Sequence, residues 1–256
     1  MFITAKAQEA EATESEENIV MKLMGYKREN GRYGVRNHLL IIPASVCSSE
    51  TAVNIAKLVD GAIAIPHQHG CCEIGDDFDT TKRTLVGFGK NPNVGAVLVV
   101  GLGCEGIQAK DIADEIKTTG KPVEYIVIQE EGGTAKTVSK GVEIAGKMAR
   151  EISKQNKVEF DISEIILGLE CGGSDPTSGL ASNPSIGVAS DMLVSMGGSS
   201  ILSETTEVIG AEHLLYPRFE DENEGKKFLE MVKRVENRSI AAGHDLREGQ
   251  PTPGNK

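Results

Sequence analysis

Short, fully apolar segments recur along this chain, and each is followed by a stretch with the spacing of an amphipathic helix. The segments are HLLIIP (38–43), GAIAIP (61–66), GAVLVVG (95–101), VEYIVIQ (123–129), EIILGLE (164–170) and SSILSE (199–204). Apolar runs of this length, without polar alternation, are typical of parallel strands that helices cover on both faces. The pattern therefore predicts an α/β fold with mainly parallel, doubly wound sheets.

The intervening stretches predict helices over 48–59, 77–89, 107–118, 133–154, 184–196 and 222–241. Ser48 and Ser49 are the expected caps of the first helix, and Pro184 falls in the first turn of the fifth. The polar segment 154–161 predicts a boundary between two successive lobes. We expect a flavodoxin-like domain over 22–156, a truncated C-terminal α/β domain over 157–256, and an acidic flexible tail over 1–21.

Composition excludes several classes of protein. The net charge of −11 leaves no general cationic character for binding a phosphate backbone. The five cysteines are odd in number and scattered, unlike those of a secreted disulfide scaffold. The chain also has no signal-peptide pattern and no apolar run of the roughly 18 residues needed to cross a bilayer. These features predict a soluble, cytoplasmic protein.

Metal-ligating and titratable side chains collect where the predicted strands end. In open α/β sheets, ligands bind beyond the carboxyl ends of the strands. The side chains at these positions include His67, His69, Cys71, Cys72, Cys104, Glu105, Glu170, Cys171, Ser174, Asp175 and Glu204. A mixture of imidazole, thiolate and carboxylate suits a borderline divalent metal such as Fe(II), Zn(II) or Mn(II).

Other interpretations of single groups stay open. His67 and His69 are also compatible with solvated loop histidines, and the Cys71-Cys72 pair with one packed structural thiol. GLGCEG (101–106) is compatible with a phosphate-binding turn, although it matches neither GxGxxG in full nor the P-loop. Arg36, just before the first strand, is either a clamp for a substrate carboxylate or a structural arginine.

Longer blocks in a fixed order carry a family resemblance. They are GRYGVRNHLLIIP, PHQHGCCEIGDDFDTTKRTLVGFGKNPNVGAVLVVGLGCE, QEEGGTAKTVSKG, ECGGSDPTSGLASNPSIGVASDMLV and GGSSILSETTEVIGAEHLL. Together they resemble the altronate dehydratase and galactarate dehydratase family, which also includes the large subunit of sulfolactate sulfo-lyase. The resemblance runs from about residue 25 to residue 256.

The resemblance implies a hydro-lyase, or the large subunit of one, that removes water from a sugar acid with Fe(II), or with Mn(II) or Zn(II). It implies metal ligands among His69, Cys71, Cys104, Glu105, Glu170 and Cys171, with His69, Cys104 and Glu170 preferred. His67, Glu204 and His213 are the expected acid and base groups, and Ser174, Asp175, Asn183 and Arg36 the substrate contacts. A companion subunit that supplies a small N-terminal domain or a further C-terminal segment is also implied, in an oligomer.

Three other functions compete with this interpretation. A sulfolactate sulfo-lyase large subunit would release sulfite in place of water. A non-catalytic metal-binding subunit, or an inactive remnant, would bind metal without turnover. A thiol redox protein is disfavoured because the sequence contains no CxxC motif, and adjacent residues such as Cys71 and Cys72 form a relaxed disulfide poorly.

Overall fold

The computed structural model describes residues 22–173 and 175–249. The predicted acidic tail over 1–21 lies outside these residues. The described chain divides into two compact units, Leu23–Phe160 and the residues from Asp161 onward. Within the described chain, no helix is long and apolar enough to cross a membrane.

The first unit is built around a four-stranded parallel sheet with the strand order β4-β3-β5-β6. Its elements are β1 (Lys22–Lys27), β2 (Tyr33–Gly34), β3 (His38–Pro43), α1 (Val46–Lys57), β4 (Ala62–Ala64), α2 (Gly75–Lys90), β5 (Val94–Gly101), α3 (Ala109–Lys117), β6 (Val123–Val127), α4 (Ile128–Glu131), α5 (Thr134–Ile152) and β7 (Val158–Asp161). The predicted α/β class is confirmed.

Alternation along β3 divides the core between the two faces of this sheet. Leu39 and Ile41 belong to the apolar cluster formed with α1 and α5. Leu40 and Ile42 belong to the cluster formed with α2 and α3. All eight residues of the central strand β5 are buried. This double burial explains why the strands are apolar throughout, and it makes the sheet doubly wound.

A small second sheet, β2-β1-β7, was not predicted from the sequence. Its strands are short and mostly solvent-accessible, so they lack the apolar runs that marked the parallel strands. Tyr33 stacks on Phe160 with ring centroids 5.0 Å apart. This aromatic contact joins β2 to β7 within the small sheet.

The second unit contains one parallel β-α-β arrangement and a helical segment. Its elements are β8 (Ile166–Leu169), α6 (Asn183–Ser195), β9 (Ser199–Leu202), α7 (Glu212–Leu215) and α8 (Glu222–Ala241). β8 pairs with β9 in parallel, from Ile166 opposite Ser199 to Leu169 opposite Leu202. Ile209 packs with Phe228 and Val232 of α8 to form the apolar cluster of this unit.

Two local predictions differ from the structure. The strand predicted over 123–129 ends at Val127, because the chain turns there into the short helix α4. α1 begins after Ser45 rather than at Ser48 or Ser49, and Ser45 is in the extended conformation typical of a cap. Ser48 lies inside the helix, where its Oγ donates to Ser45 O at 2.9 Å and holds the first turn.

Candidate functional site

The connections that follow β3 and β5 leave the sheet toward opposite faces. α1 follows β3 and packs on one face, whereas α3 follows β5 and packs on the other. Since β3 and β5 are neighbours, a crevice opens between their carboxyl ends. Two candidate loops leave near this crevice, one carrying Cys104 and Glu105 and the other, after β4, carrying His67 to Glu73.

The loop after β4 is fastened to the start of α1. The Val46 amide donates to His69 O at 2.8 Å. Ser49 Oγ donates to His67 O at 3.0 Å. These two hydrogen bonds hold the backbone of His67 and His69 against the first turns of α1.

Both ring nitrogens of His67 are used by the backbone. Nδ1 accepts the His69 amide at 3.2 Å. Nε2 lies 2.8 Å from Pro43 O and therefore carries the proton. In this structure both nitrogens therefore support the loop, and the role of His67 as a base stays a prediction.

His69 has a different environment. Its Nδ1 lies 3.3 Å from Glu73 Oε1. Both residues line a cavity of about 580 Å³, together with residues of α2 that include Asp77, Thr81 and Phe88. Burial raises the pKa of the Glu73 carboxyl, but Thr81, the Gly70 amide and His69 together lower it by more, so it lies below its usual range.

Three cysteines lie near this loop. Cys71 Sγ lies 3.9 Å from Cys72 Sγ. The neighbouring thiols of Cys72 and Cys47 raise the pKa of Cys71, with Cys72 contributing most. Cys72 adopts a positive φ of 57°, a conformation that non-glycine residues rarely adopt. Cys71 is consequently held as a thiol next to other thiols, although it is exposed.

Glu105 is committed to its own loop. Its carboxylate is 5% exposed. Oε2 accepts the Gly103 amide at 2.6 Å, and both oxygens lie near the Leu102 amide, at 3.0 and 3.1 Å. These bonds close the turn after β5 and present Cys104 at the surface. Glu105 therefore closes its own loop in this structure, and metal ligation by Glu105 stays a prediction.

The second unit gathers most of its predicted site residues around one cavity of about 670 Å³. The cavity lies beyond the carboxyl ends of β8 and β9 and beside the start of α6. Its lining includes Glu170, Cys171, Asp175, Asn183, Glu204 and Glu207. A π-helical turn, Ser178–Ser182, precedes α6 at this point, and such turns are frequent at functional sites.

Glu204 stands out in this cavity. It is in the left-handed conformation, with φ 61° and ψ 75°. Its Oε2 accepts the Cys171 amide at 3.0 Å, which joins the ends of β8 and β9. A strained non-glycine residue that lines a cavity is a candidate for function, because the strain of about 1–3 kcal/mol must be offset elsewhere.

Asp175 organises the turn that leads into α6. Its Oδ1 accepts from Thr177 N at 2.7 Å and from Ser178 N at 3.0 Å. The Thr177 hydroxyl first, and these amides second, lower the pKa of the Asp175 carboxyl. The carboxylate is therefore held ionised at the rim of the cavity.

Two predicted residues lie away from the cavity, and one is not described. Ser174 falls outside the described residues. His213 is exposed on α7 and is not among the residues that line the cavity. Arg36 precedes β3, at the amino end of the strand and therefore opposite the crevice of its own sheet. Its role as a substrate clamp stays a prediction.

The candidate metal ligands are divided between the two units. His69, Cys71 and Cys104 belong to the first unit, and Glu170 and Cys171 to the second. Within the described residues, no group of three His, Cys, Asp or Glu side chains is close enough to hold a metal ion. The donor types suit a borderline divalent ion, but the described residues do not by themselves form a complete centre.

The fold and these groups define an α/β protein with polar, titratable side chains at the carboxyl ends of its parallel strands. Residues 25–153 match the domain described as D-galactarate dehydratase/altronate hydrolase, second domain. Residues 162–256 match D-galactarate/altronate dehydratase, C-terminal. The chain belongs to this family, and the resemblance seen in the sequence is confirmed.

Three relatives show the range of the family. The chain is 37% identical over 235 residues to the (2R)-sulfolactate sulfo-lyase subunit beta of Chromohalobacter salexigens, covering 91% of this chain and 59% of that one. It is 34% identical to altronate dehydratase of Escherichia coli, covering 90% and 48%. It is 33% identical to galactarate dehydratase (L-threo-forming) of Escherichia coli, covering 91% and 48%. The chain thus spans about half the length of the relatives it matches.

Proposed function

We propose that this chain is the part of a hydro-lyase that removes water from a sugar acid such as altronate or galactarate. The observation that carries the proposal is the strained Glu204 at the cavity of the second unit, in a chain of the dehydratase family. Relatives named altronate dehydratase and galactarate dehydratase support the reaction class.

Dehydration of a hydroxy acid begins with removal of the proton next to the carboxylate, and the hydroxyl on the adjacent carbon leaves with a proton. Glu204 is the proposed base, and its Oε1 is the proposed acceptor, since the Cys171 amide orients the carboxylate through Oε2. We further propose that Asp175, Asn183 and Ser174 orient the substrate hydroxyls. His213 stays a candidate acid.

We propose that the chain binds a divalent metal, Fe(II) in preference to Mn(II) or Zn(II), with ligands among the side chains predicted from the sequence: His69, Cys71 and Cys104 in the first unit, or Glu170 and Cys171 in the second. When bound, such an ion supplies Lewis-acid stabilisation of charge that develops on the substrate carboxylate. The cavity supports this proposal through its charge. Glu170, Asp175, Glu204 and Glu207 line it, and a substrate anion next to four carboxylates requires a cation to offset their repulsion.

The test compares Glu204→Gln with Glu230→Gln, an exposed glutamate of α8. Protein made anaerobically with Fe(II), with and without the remaining segments of the family, is given altronate or galactarate, and release of a 2-keto-3-deoxy acid is measured. Loss of a general base should lower kcat by about 10²- to 10⁴-fold, whereas Glu230→Gln should match the wild type. A Glu204→Gln protein that retains its rate would refute the assignment.

A sulfo-lyase subunit is the second candidate. It is favoured by the relative named (2R)-sulfolactate sulfo-lyase subunit beta. This chain is 37% identical to that relative and covers 59% of its length. The leaving group is sulfite rather than water. Sulfite release from sulfolactate, without release of a keto-deoxy acid from altronate or galactarate, would select this function.

We also propose that a companion polypeptide or segment covers part of the second unit. α6 buries Leu193 but exposes Ile186, Val188 and Met192. Ile166 of β8 is also 43% exposed, although parallel strands are normally covered on both faces. Co-expression with a family segment that completes the length should yield one assembly in size-exclusion chromatography. A partner-free chain that turns over at the full rate would contradict this proposal.

A non-catalytic role is the alternative, and it predicts metal binding without turnover in every pairing.

We further infer a cytoplasmic location. No disulfide joins any of the five cysteines, all of which lie in the described chain, and this supports a reducing compartment.

A further inference from the structure

We propose that Glu73 is a positioning residue for His69: it accepts the Nδ1 proton, so that the lone pair of the imidazole is fixed on Nε2. Glu73 has no role in the sequence-based assignments. The orientation of His69 by Glu73 is inferred from geometry. That a metal uses the lone pair on Nε2 rests on the proposed function, which this inference deepens.

The geometry joins a buried carboxylate to an exposed imidazole. His69 Nδ1 and Glu73 Oε1 are 3.3 Å apart, and the side chains are 59% and 15% exposed respectively. Because the carboxylate is the buried partner, it can act as the fixed point that orients the exposed ring.

The backbone of His69 is fixed independently of its side chain. The His69 amide donates to His67 Nδ1 at 3.2 Å. Its carbonyl accepts the Val46 amide at 2.8 Å. With the peptide groups on both sides held, the ring is the part of His69 that the 3.3 Å contact with Glu73 would orient. This is the support that a preorganised ligand requires.

One oxygen of Glu73, the buried Oε2, has no hydrogen-bond partner of its own among the described residues, although the Thr81 side chain and the Gly70 amide interact with the carboxyl group. Such an arrangement is unexpected for a residue that only closes a loop, since buried polar atoms are nearly always satisfied. It is expected for a carboxylate held in place to orient a functional neighbour.

The chemical consequence follows from the two tautomers of neutral imidazole. One nitrogen carries the proton and the other the lone pair, and the hydrogen bond made by the first decides which nitrogen is available. Carboxylates behind metal-binding histidines orient the ring and make it more basic in this way. His67 shows the opposite tautomer, since its proton is on Nε2.

The first test reads the tautomer directly. Long-range ¹H–¹⁵N NMR of the metal-free protein is recorded near neutral pH, and the His69 signals are identified among the five histidines with a His69→Gln variant. We expect wild-type His69 to be protonated on Nδ1. Glu73→Met, which removes the acceptor, should move the proton to Nε2. Glu73→Gln, which retains an acceptor oxygen, should restore the Nδ1 form at least in part.

The matched control is Asp76→Asn, which removes a nearby charge from the first turn of α2 and should leave the His69 tautomer unchanged. The proposal is overturned if wild-type His69 is protonated on Nε2. It is also overturned if Glu73→Met leaves the tautomer as in the wild type, or if Asp76→Asn shifts it equally.

The second test measures Co(II) affinity by absorption titration. We expect Glu73→Met to weaken it by about 10- to 100-fold, Glu73→Gln to weaken it less, and Asp76→Asn to leave it unchanged. Equal affinity of Glu73→Met and wild type would overturn the link to metal binding. If wild type binds no Co(II) at all, the metal proposal itself fails, and the NMR comparison still decides the role of Glu73.

Discussion

Replacement of Arg28 by Met should destabilise the first unit strongly, because this side chain joins segments that are distant in the chain. Arg28 is 6% exposed. It donates to Pro92 O at 2.7 Å, to Asn37 Oδ1 at 2.9 Å, to Arg36 O at 3.0 Å and to Gln155 Oε1 at 3.1 Å. One side chain thus connects the strand β1 to the segments that precede β3 and β5 and to the residues that follow α5.

The magnitude follows from the acceptors that would be left behind. Arg36 is exposed, so its carbonyl regains water, and the Gln155 amide can rotate. Two acceptors, Pro92 O and Asn37 Oδ1, then lose their donor, at about 1–3 kcal/mol each. Burial also lowers the pKa of Arg28, which shows that the cation is held at a cost that Met would not carry. We therefore expect a net loss of about 2–4 kcal/mol in the free energy of unfolding.

The assay is urea unfolding of the full chain followed by circular dichroism, with Arg28→Met, Arg28→Lys and Arg32→Met compared. Lysine keeps the charge but cannot reproduce the planar fork, so it should cost about half as much as methionine. Arg32 is exposed, and its replacement should change stability by less than about 0.5 kcal/mol. A change for Arg28→Met no larger than that of Arg32→Met would refute the reasoning.

Three further predictions concern single sites. Gly141→Ala should destabilise the chain by about 1–3 kcal/mol in thermal unfolding, because the new Cβ would overlap buried Ile55. Gly146→Ala on the same helix, where the nearest contact of a new Cβ is at 3.6 Å, should stabilise it by roughly 0.5–1 kcal/mol. Burial and the nearby Arg28 charge lower the pKa of Lys121 from 10.5 to about 8, so the folded chain loses this proton at a lower pH than the unfolded chain. As pH rises from about 8 toward 10.5, the free energy of unfolding of the wild type, measured in urea, should therefore increase by roughly 1–2 kcal/mol relative to that of Lys121→Met. Equal pH profiles for these two proteins would contradict the Lys121 prediction. Glu204→Gly should raise stability by about 1 kcal/mol in the same assay, through relief of its positive φ, while it abolishes turnover; a destabilised or active variant would contradict it.

Some of the site follows from the sequence because topology alone places it. Glu170, Cys171 and Glu204 follow apolar strands, and parallel strands bring their carboxyl ends to one edge. That rule suffices to predict that these residues share a cavity, as they do. It does not give Glu204 its left-handed backbone, which depends on packing around the turn.

The roles of individual side chains were harder to predict. His67 and His69 are equivalent in the sequence, yet the backbone takes both nitrogens of His67 and leaves His69 to Glu73. Glu105 resembles a ligand until its loop folds back on it. For His67 and Glu105 the deciding partners are peptide groups, which are the same at every position of a sequence.

The sequence by itself determined the α/β class, the principal strands and the long helices, because apolar periodicity reports burial directly. It also determined the family, through long ordered blocks of residues. The tertiary structure decided the small sheet β2-β1-β7, the buried Arg28 and the separate roles of His67, His69 and Glu105. The contacts of Arg28 depend on hydrogen bonds between residues distant in the chain, such as Arg28 and Pro92, and those of Glu105 depend on the conformation of its own turn. The energy of such a bond exists only once the fold has brought donor and acceptor together.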